Sequence, residues 1–163
     1  ETLEAARGGL EEALAELVAI REREGEALSA AIRERLEGVG EQVAAIRDRL
    51  PQVRESYRQR LRDRLAELAD SVDPQRLEQE LVVFAQRIDV DEELDRLETH
   101  VAAVREALDQ GGAVGRRLDF LMQELNREAN TIGSKSADGP VSQAAVDLKV
   151  LIEQMREQVQ NIE

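Results

Sequence analysis

Apolar residues recur along the start of the chain at Leu10, Leu14, Leu17 and Ile20, then at Leu28, Ile32, Leu36, Val39, Val43, Ile46 and Leu50. The later spacings alternate between four and three, which lays one stripe along a helix close to a heptad pattern. Gly25, Gly38 and Gly40 weaken that helix without forbidding it. A helix from about Leu3 to Leu50 is roughly 70 Å long and needs a partner along its length. Pro51 predicts its end, because proline disfavours the α conformation at Leu50 and suits the first turn of a following helix. That second helix, to about Ala69, carries Val53, Tyr57, Leu61, Leu65 and Leu68. The pair is expected to form a long antiparallel helical hairpin over residues 1–72.

Residues 73–163 read as a C-terminal helical domain. Asp73-Pro74 is an N-cap followed by proline at the first position, opening a helix with Leu77, Leu81, Phe84 and Ile88 inward. Asp89 is placed to cap a helix over about Val90 to Asp109, with Leu94, Leu97, Val101, Val104 and Leu108 on its seam, broken by Gly111-Gly112. A helix over about Val114 to Thr131 presents Leu118, Leu121, Met122, Leu125 and Ala129. The run Gly133 to Pro140 reads as a polar loop, and Ser142 opens a last helix with Val146, Leu148, Ile152, Met155 and Val159. No segment has strand periodicity, so the expectation is an all-α chain of about six helices, a hairpin plus a bundle.

Composition supports this. Charged residues make up 35% of the 163 residues and aromatics 2%, as long Ala/Leu/Glu/Arg helices require and a β-sandwich would not. With no cysteine, disulfides, thiolate zinc sites and thiol nucleophiles are excluded. No apolar run is long enough to span a membrane. Lys+Arg number 22 against 35 Asp+Glu, a net charge of −13. Such a field repels phosphate, so contact with nucleic acid has to use local basic stripes, a divalent ion or parts outside this chain. The chain opens with Glu1 inside a helical pattern, which reads as a segment of something longer.

The helices on either side of Gly111-Gly112 are joined so briefly that they must be antiparallel neighbours. His100 and Glu124 are equally far from Gly112, so they should lie level. Glu93 and Glu128 extend the same strip. Imidazole and carboxylate together suit a hard or borderline ion such as Mn²⁺ or Mg²⁺. Against this, a lone helical histidine is more often an ordinary boundary residue, and carboxylates near Arg96, Arg117 and Arg127 are more often ion-paired. Upstream, Arg54, Arg58 and Arg62 are four apart and share a stripe suited to an extended polyanion, although arginines covering apolar surface make the same pattern. No phosphate loop, dinucleotide fingerprint or serine triad signature is present.

The run GRRLDFLMQELNREANTIGSKS, from Gly115 to Ser136, and the closing LKVLIEQMREQVQNIE closely resemble the C-terminal region of the YicC-like endoribonuclease family. REREGEAL, from Arg21 to Leu28, resembles its Arg-x-x-Glu-Gly motif. DVDEELDRLETH, from Asp89 to His100, resembles a second motif, with Thr99 where serine is usual. Gly139-Pro140 departs from the family's acidic-aliphatic pair. The resemblance covers essentially the whole chain. It implies the helical part of bacterial cytoplasmic enzymes that cut single-stranded or structured RNA with a divalent metal, Mn²⁺ or Mg²⁺, and assemble as hexamers, with an N-terminal domain this chain lacks. Matched position by position, its polar residues are Glu24, Glu93, His100, Arg116, Arg117, Asp119, Gln123, Glu124, Arg127, Glu128, Asn130 and Lys135. His100 and Glu124, on which the resemblance and the antiparallel geometry agree, and then Glu93 and Glu128, are the metal-holding and catalytic candidates. Arg116, Arg117, Arg127 and Lys135 are its candidates for holding RNA phosphate, beside the Arg54, Arg58 and Arg62 stripe. The competing expectation is a non-catalytic helical module for RNA binding or oligomerisation.

Overall fold

The computed structural model describes residues 2–67 and 74–160. Five helices run through them in order: α1 Thr2–Glu67, α2 Pro74–Arg87, α3 Asp91–Gln110, α4 Gly115–Lys135 and α5 Gly139–Val159. The all-α expectation holds, and no strand occurs among the described residues. No helix among them is long and apolar enough to cross a membrane.

The helical hairpin expected over residues 1–72 does not form. Pro51 lies inside α1, which is one helix of 66 residues, about 100 Å long. An interior proline costs a helix about 3 kcal/mol through its lost N–H and ring clash. Here Leu50 and Val53 are buried on either side of it and extend the stripe Ile32, Leu36, Val39, Val43, Ile46. Burying each contributes about 1.5–3 kcal/mol, so packing on both sides outweighs the local preference for a break, and the proline itself faces solvent. The reversal comes instead with the next helix, α2. The Asp73 cap, the boundary at 72–73 and the side chains of Leu65, Leu68 and Leu77 lie outside the described residues.

After that reversal α2 and α3 run back along α1. Phe84 of α2 stacks on Tyr57. From there, Arg54 meets Asp91 at 3.2 Å, Arg47 meets Asp95 at 2.6 Å, and Arg33 meets Asp109 at 2.6 Å. Gly111 and Gly112 make the α3–α4 turn with φ of 62° and 76°, a region that only glycine enters without strain. α4 therefore runs antiparallel to α3, as the short connection predicted. The expected loop at 133–140 is shorter than its composition implied: Gly133 to Lys135 finish α4, and Gly139 already begins α5. Asp138, not Ser142, caps α5. Its carboxylate accepts from the Val141 N–H at 3.3 Å and from Arg49 Nη2 at 3.0 Å, which lowers its pKa from the ordinary carboxylate value, the arginine being the main cause. Pro140 sits in the first turn, where its missing N–H has no consequence.

α1, α3, α4 and α5 thus close an antiparallel four-helix bundle around one core, which draws Ile32 to Val53 from α1 and leucine, isoleucine, valine and methionine side chains from the others. Upstream of Leu28, α1 leaves the bundle as an arm. Its apolar stripe is uncovered there, with Leu3 at 87% exposure and Leu10, Leu14, Leu17 and Val18 all exposed.

Candidate metal centre

The seam between α3 and α4 carries a strip of polar groups. His100 on α3 and Glu124 and Glu128 on α4 converge, each offering a ligand atom, and the three atoms lie within 4.8 Å of one another. The equal count from the glycine turn brings His100 level with Glu124, as the sequence indicated. Glu128 follows one helical turn along and is only 4% exposed. One imidazole nitrogen and two carboxylates form a donor set that Mn²⁺, Mg²⁺ or Zn²⁺ accepts.

Glu93 does not join this group. It is 5% exposed, and its Oε1 accepts from Lys135 Nζ at 2.9 Å and from Arg96 Nη2 at 3.2 Å. Its Oε2 is buried with no hydrogen-bond partner among the described residues. Arg96 links the two halves of the strip, because the same Nη2 lies 3.0 Å from Glu128 Oε2. Lys135 Nζ also donates to the Asp89 carbonyl at 2.8 Å. Two carboxylates are thus paired with two cations in the seam, and one of these carboxylates, Glu128, faces His100 and Glu124 as well. The length of the Arg96 side chain and its position one turn below His100 create this bridge. The sequence carries that signal as an i,i+3 and i,i+4 relation to Glu93 and Glu92.

The phosphate candidates separate into two sets. Lys135 is engaged as described, and Arg117 is tied to Gln110 at 2.8 Å and to Glu106 at 3.0 Å. Arg54 and Arg58 are paired with Asp91 and Glu55, so the stripe they were expected to offer is partly neutralised, leaving Arg62 exposed beyond it. Arg116 and Arg127 are exposed and have no ion pair among the described residues.

Known proteins add a second line of observation. The family profile described as "Endoribonuclease YicC-like, C-terminal" matches residues 46–163. The chain is 51% identical over 150 residues to a protein of Haemophilus influenzae named "Probable endoribonuclease YicC", a match covering 92% of this chain and 52% of that protein. It is 37% identical over 157 residues to a protein of the same name from Clostridioides difficile, covering 94% of this chain and 54% of that one. The chain spans about half the length of the curated relatives it matches. The match over residues 46–163, most of its length, places this chain in the YicC-like endoribonuclease family.

Proposed function

We propose that this chain is the helical part of a divalent-metal-dependent endoribonuclease that hydrolyses RNA phosphodiester bonds, with Mn²⁺ or Mg²⁺ held by His100, Glu124 and Glu128. The observation that carries the reading is the convergence of these three donors on one seam, in a chain whose relatives bear the name endoribonuclease. A bound divalent ion supplies charge neutralisation at a phosphate and a water of lowered pKa. The chain's own residues prepare the place for it. Arg96 fixes one oxygen of Glu128 at 3.0 Å, orienting that carboxylate. Glu93 holds Arg96 from the far side of the strip and is itself held by Lys135. A non-catalytic oligomerisation or RNA-binding module is the second reading, favoured by the uncovered apolar stripe of the α1 arm. A hexamer and a cytoplasmic location belong to the leading reading as its further expectations.

The test is a Mn²⁺ titration of this chain followed by the paramagnetic signal of the free ion. One ion per chain is expected, with His100→Ala and Glu124→Gln each weakening its binding by about tenfold or more. The same substitutions in the longer protein should slow RNA cleavage, and excess Mn²⁺ should partly restore it. Mn²⁺ uptake unchanged in both variants would remove the site.

A further inference from the structure

The chain holds three Phe and Tyr residues and no tryptophan. Tyr57 and Phe84 cover each other by stacking. Phe120 is left 58% exposed on α4. At 100° per residue, Arg116, Phe120, Gln123 and Arg127 fall within about 60° of one another on the helix and span about 16 Å along it. This is the crest of α4: its core face carries Leu118, Met122, Leu125, Ala129 and Ile132, all buried, and all four crest residues are exposed. Acidic groups outnumber basic ones 35 to 22, so an arginine here has no shortage of internal partners. Arg33, Arg47, Arg49, Arg96 and Arg105 all have one. Arg116 and Arg127 have none among the described residues. What sets them apart from other free cations in the chain is the aromatic ring between them.

Two open guanidiniums flanking an exposed ring combine phosphate attraction with a π-face, the pairing by which proteins hold unpaired nucleic acid. The crest also adjoins the metal strip. Phe120 and Glu124 are four residues apart on α4, hence side-by-side neighbours about 5–6 Å apart at Cβ. We infer that Phe120 is a base-stacking platform for a single-stranded segment of RNA, with Arg116 and Arg127 holding the phosphates on either side. The segment so held passes alongside the His100, Glu124 and Glu128 seam. Duplex RNA, whose bases are already stacked, has no free face to give the ring, so the platform selects unpaired substrate. The inference rests on the RNA-cleaving reading above and names the form of RNA that the site takes.

The experiment measures binding in EDTA, so that neither metal nor cleavage enters. The probe is a single-stranded RNA 12-mer carrying 2-aminopurine, set beside the same sugar-phosphate chain with abasic central positions. Phe120→Ala and Phe120→Leu should each weaken binding of the intact RNA by about tenfold and abolish the change in 2-aminopurine emission, whereas Phe120→Tyr should keep both. The abasic strand should bind wild type and Phe120→Ala alike. Arg116→Ala and Arg127→Ala should each lower the log–log salt slope by about 0.7. Phe120→Ala binding the intact RNA as wild type does, with emission unchanged, would overturn the platform and leave the Mn²⁺ result standing. Wild type that binds no RNA would overturn the platform and the RNA reading together. A Phe120→Ala variant with altered molar mass by light scattering but unchanged RNA affinity would make the crest a protein contact and overturn the inference.

Discussion

Arg96 Nη2 lies 3.0 Å from Glu128 Oε2, so a guanidinium rooted on α3 pins a carboxylate rooted on α4 that is itself one of the three converging ligand groups. The pair ties the packing of the bundle to the state of the candidate site. Removing only the cation takes a shared partner from Glu128 and Glu93 in a seam that gives them little water. Arg96→Met is therefore expected to lower the melting temperature, and the double change Arg96→Met with Glu128→Gln to recover part of that loss. Thermal melts of the two singles and the double give the coupling directly. Additive effects would mean that the two residues act independently.

Pro51 leads to the opposite expectation. It removes a donor from the middle of α1 and presents its ring to solvent. Pro51→Ala restores the hydrogen bond to the preceding turn and should stabilise the chain by about 1–3 kcal/mol, reduced by the greater freedom of the unfolded chain. Urea denaturation measures this. A loss of stability would show that Pro51 stabilises the helix it lies in.

Two glycines of α1 should respond differently to the same substitution. A Cβ on Gly40 meets nothing within 4 Å, whereas one on Gly38 would lie 3.1 Å from Leu151 Cδ1. Gly40→Ala should stabilise by about 0.5–1 kcal/mol. Gly38→Ala should be near neutral, its helix gain offset by displacing Leu151, and Gly38→Val should cost about 1–3 kcal/mol by overpacking the α1–α5 contact. Equal gains at both positions would mean that Leu151 yields freely.

Asp138 carries a pH signature. Its folded pKa lies below its ordinary value of 3.8, held down chiefly by the Arg49 hydrogen bond and then by the Val141 N–H. A depressed carboxylate contributes stability that is present above its unfolded pKa and is lost as pH falls through the lower folded value. The acid limb of the stability curve below about pH 4 should therefore flatten in Asp138→Asn. At neutral pH, Asp138→Ala should cost about 0.5–2 kcal/mol for the cap, and Asn should cost less because it keeps the acceptor. Unaltered acid limbs in both variants would place the effect elsewhere.

The parts of this molecule that local rules govern were legible in the sequence. The heptad spacing from Ile32 to Leu50 and the glycine pair at 111–112 sufficed to place the core stripe and to set His100 opposite Glu124. The signals that misled were local preferences that tertiary packing overrode. Pro51 reads as a break because nothing nearby reveals that Leu50 and Val53 will both be buried. Gly139-Pro140 reads as loop, although proline in a first turn is equally a helix start. The division among the carboxylates was hidden for another reason. Spacing puts Glu93 and Glu128 on one strip, but which of them a cation captures depends on where Arg96 and Lys135 reach across the seam. Phe120 passes as one more apolar position until its exposure is known.

α1 is continuous as a hydrogen-bonded helix yet is not uniform in what holds it. From Ile32 onward its side chains belong to the shared core; towards Thr2 the stripe faces water. A helix without tertiary packing is marginal in water and opens and recloses in about a microsecond. Backbone amides of the arm should therefore exchange with solvent deuterium through local fraying, while those between Leu36 and Val53 exchange only when the whole bundle opens. One helix then contains the edge of the cooperative folding unit, located near Ile32. Any body seated on Leu3 to Ile20 would move that edge along the helix, and the slowing of exchange, residue by residue, would map how far it reaches.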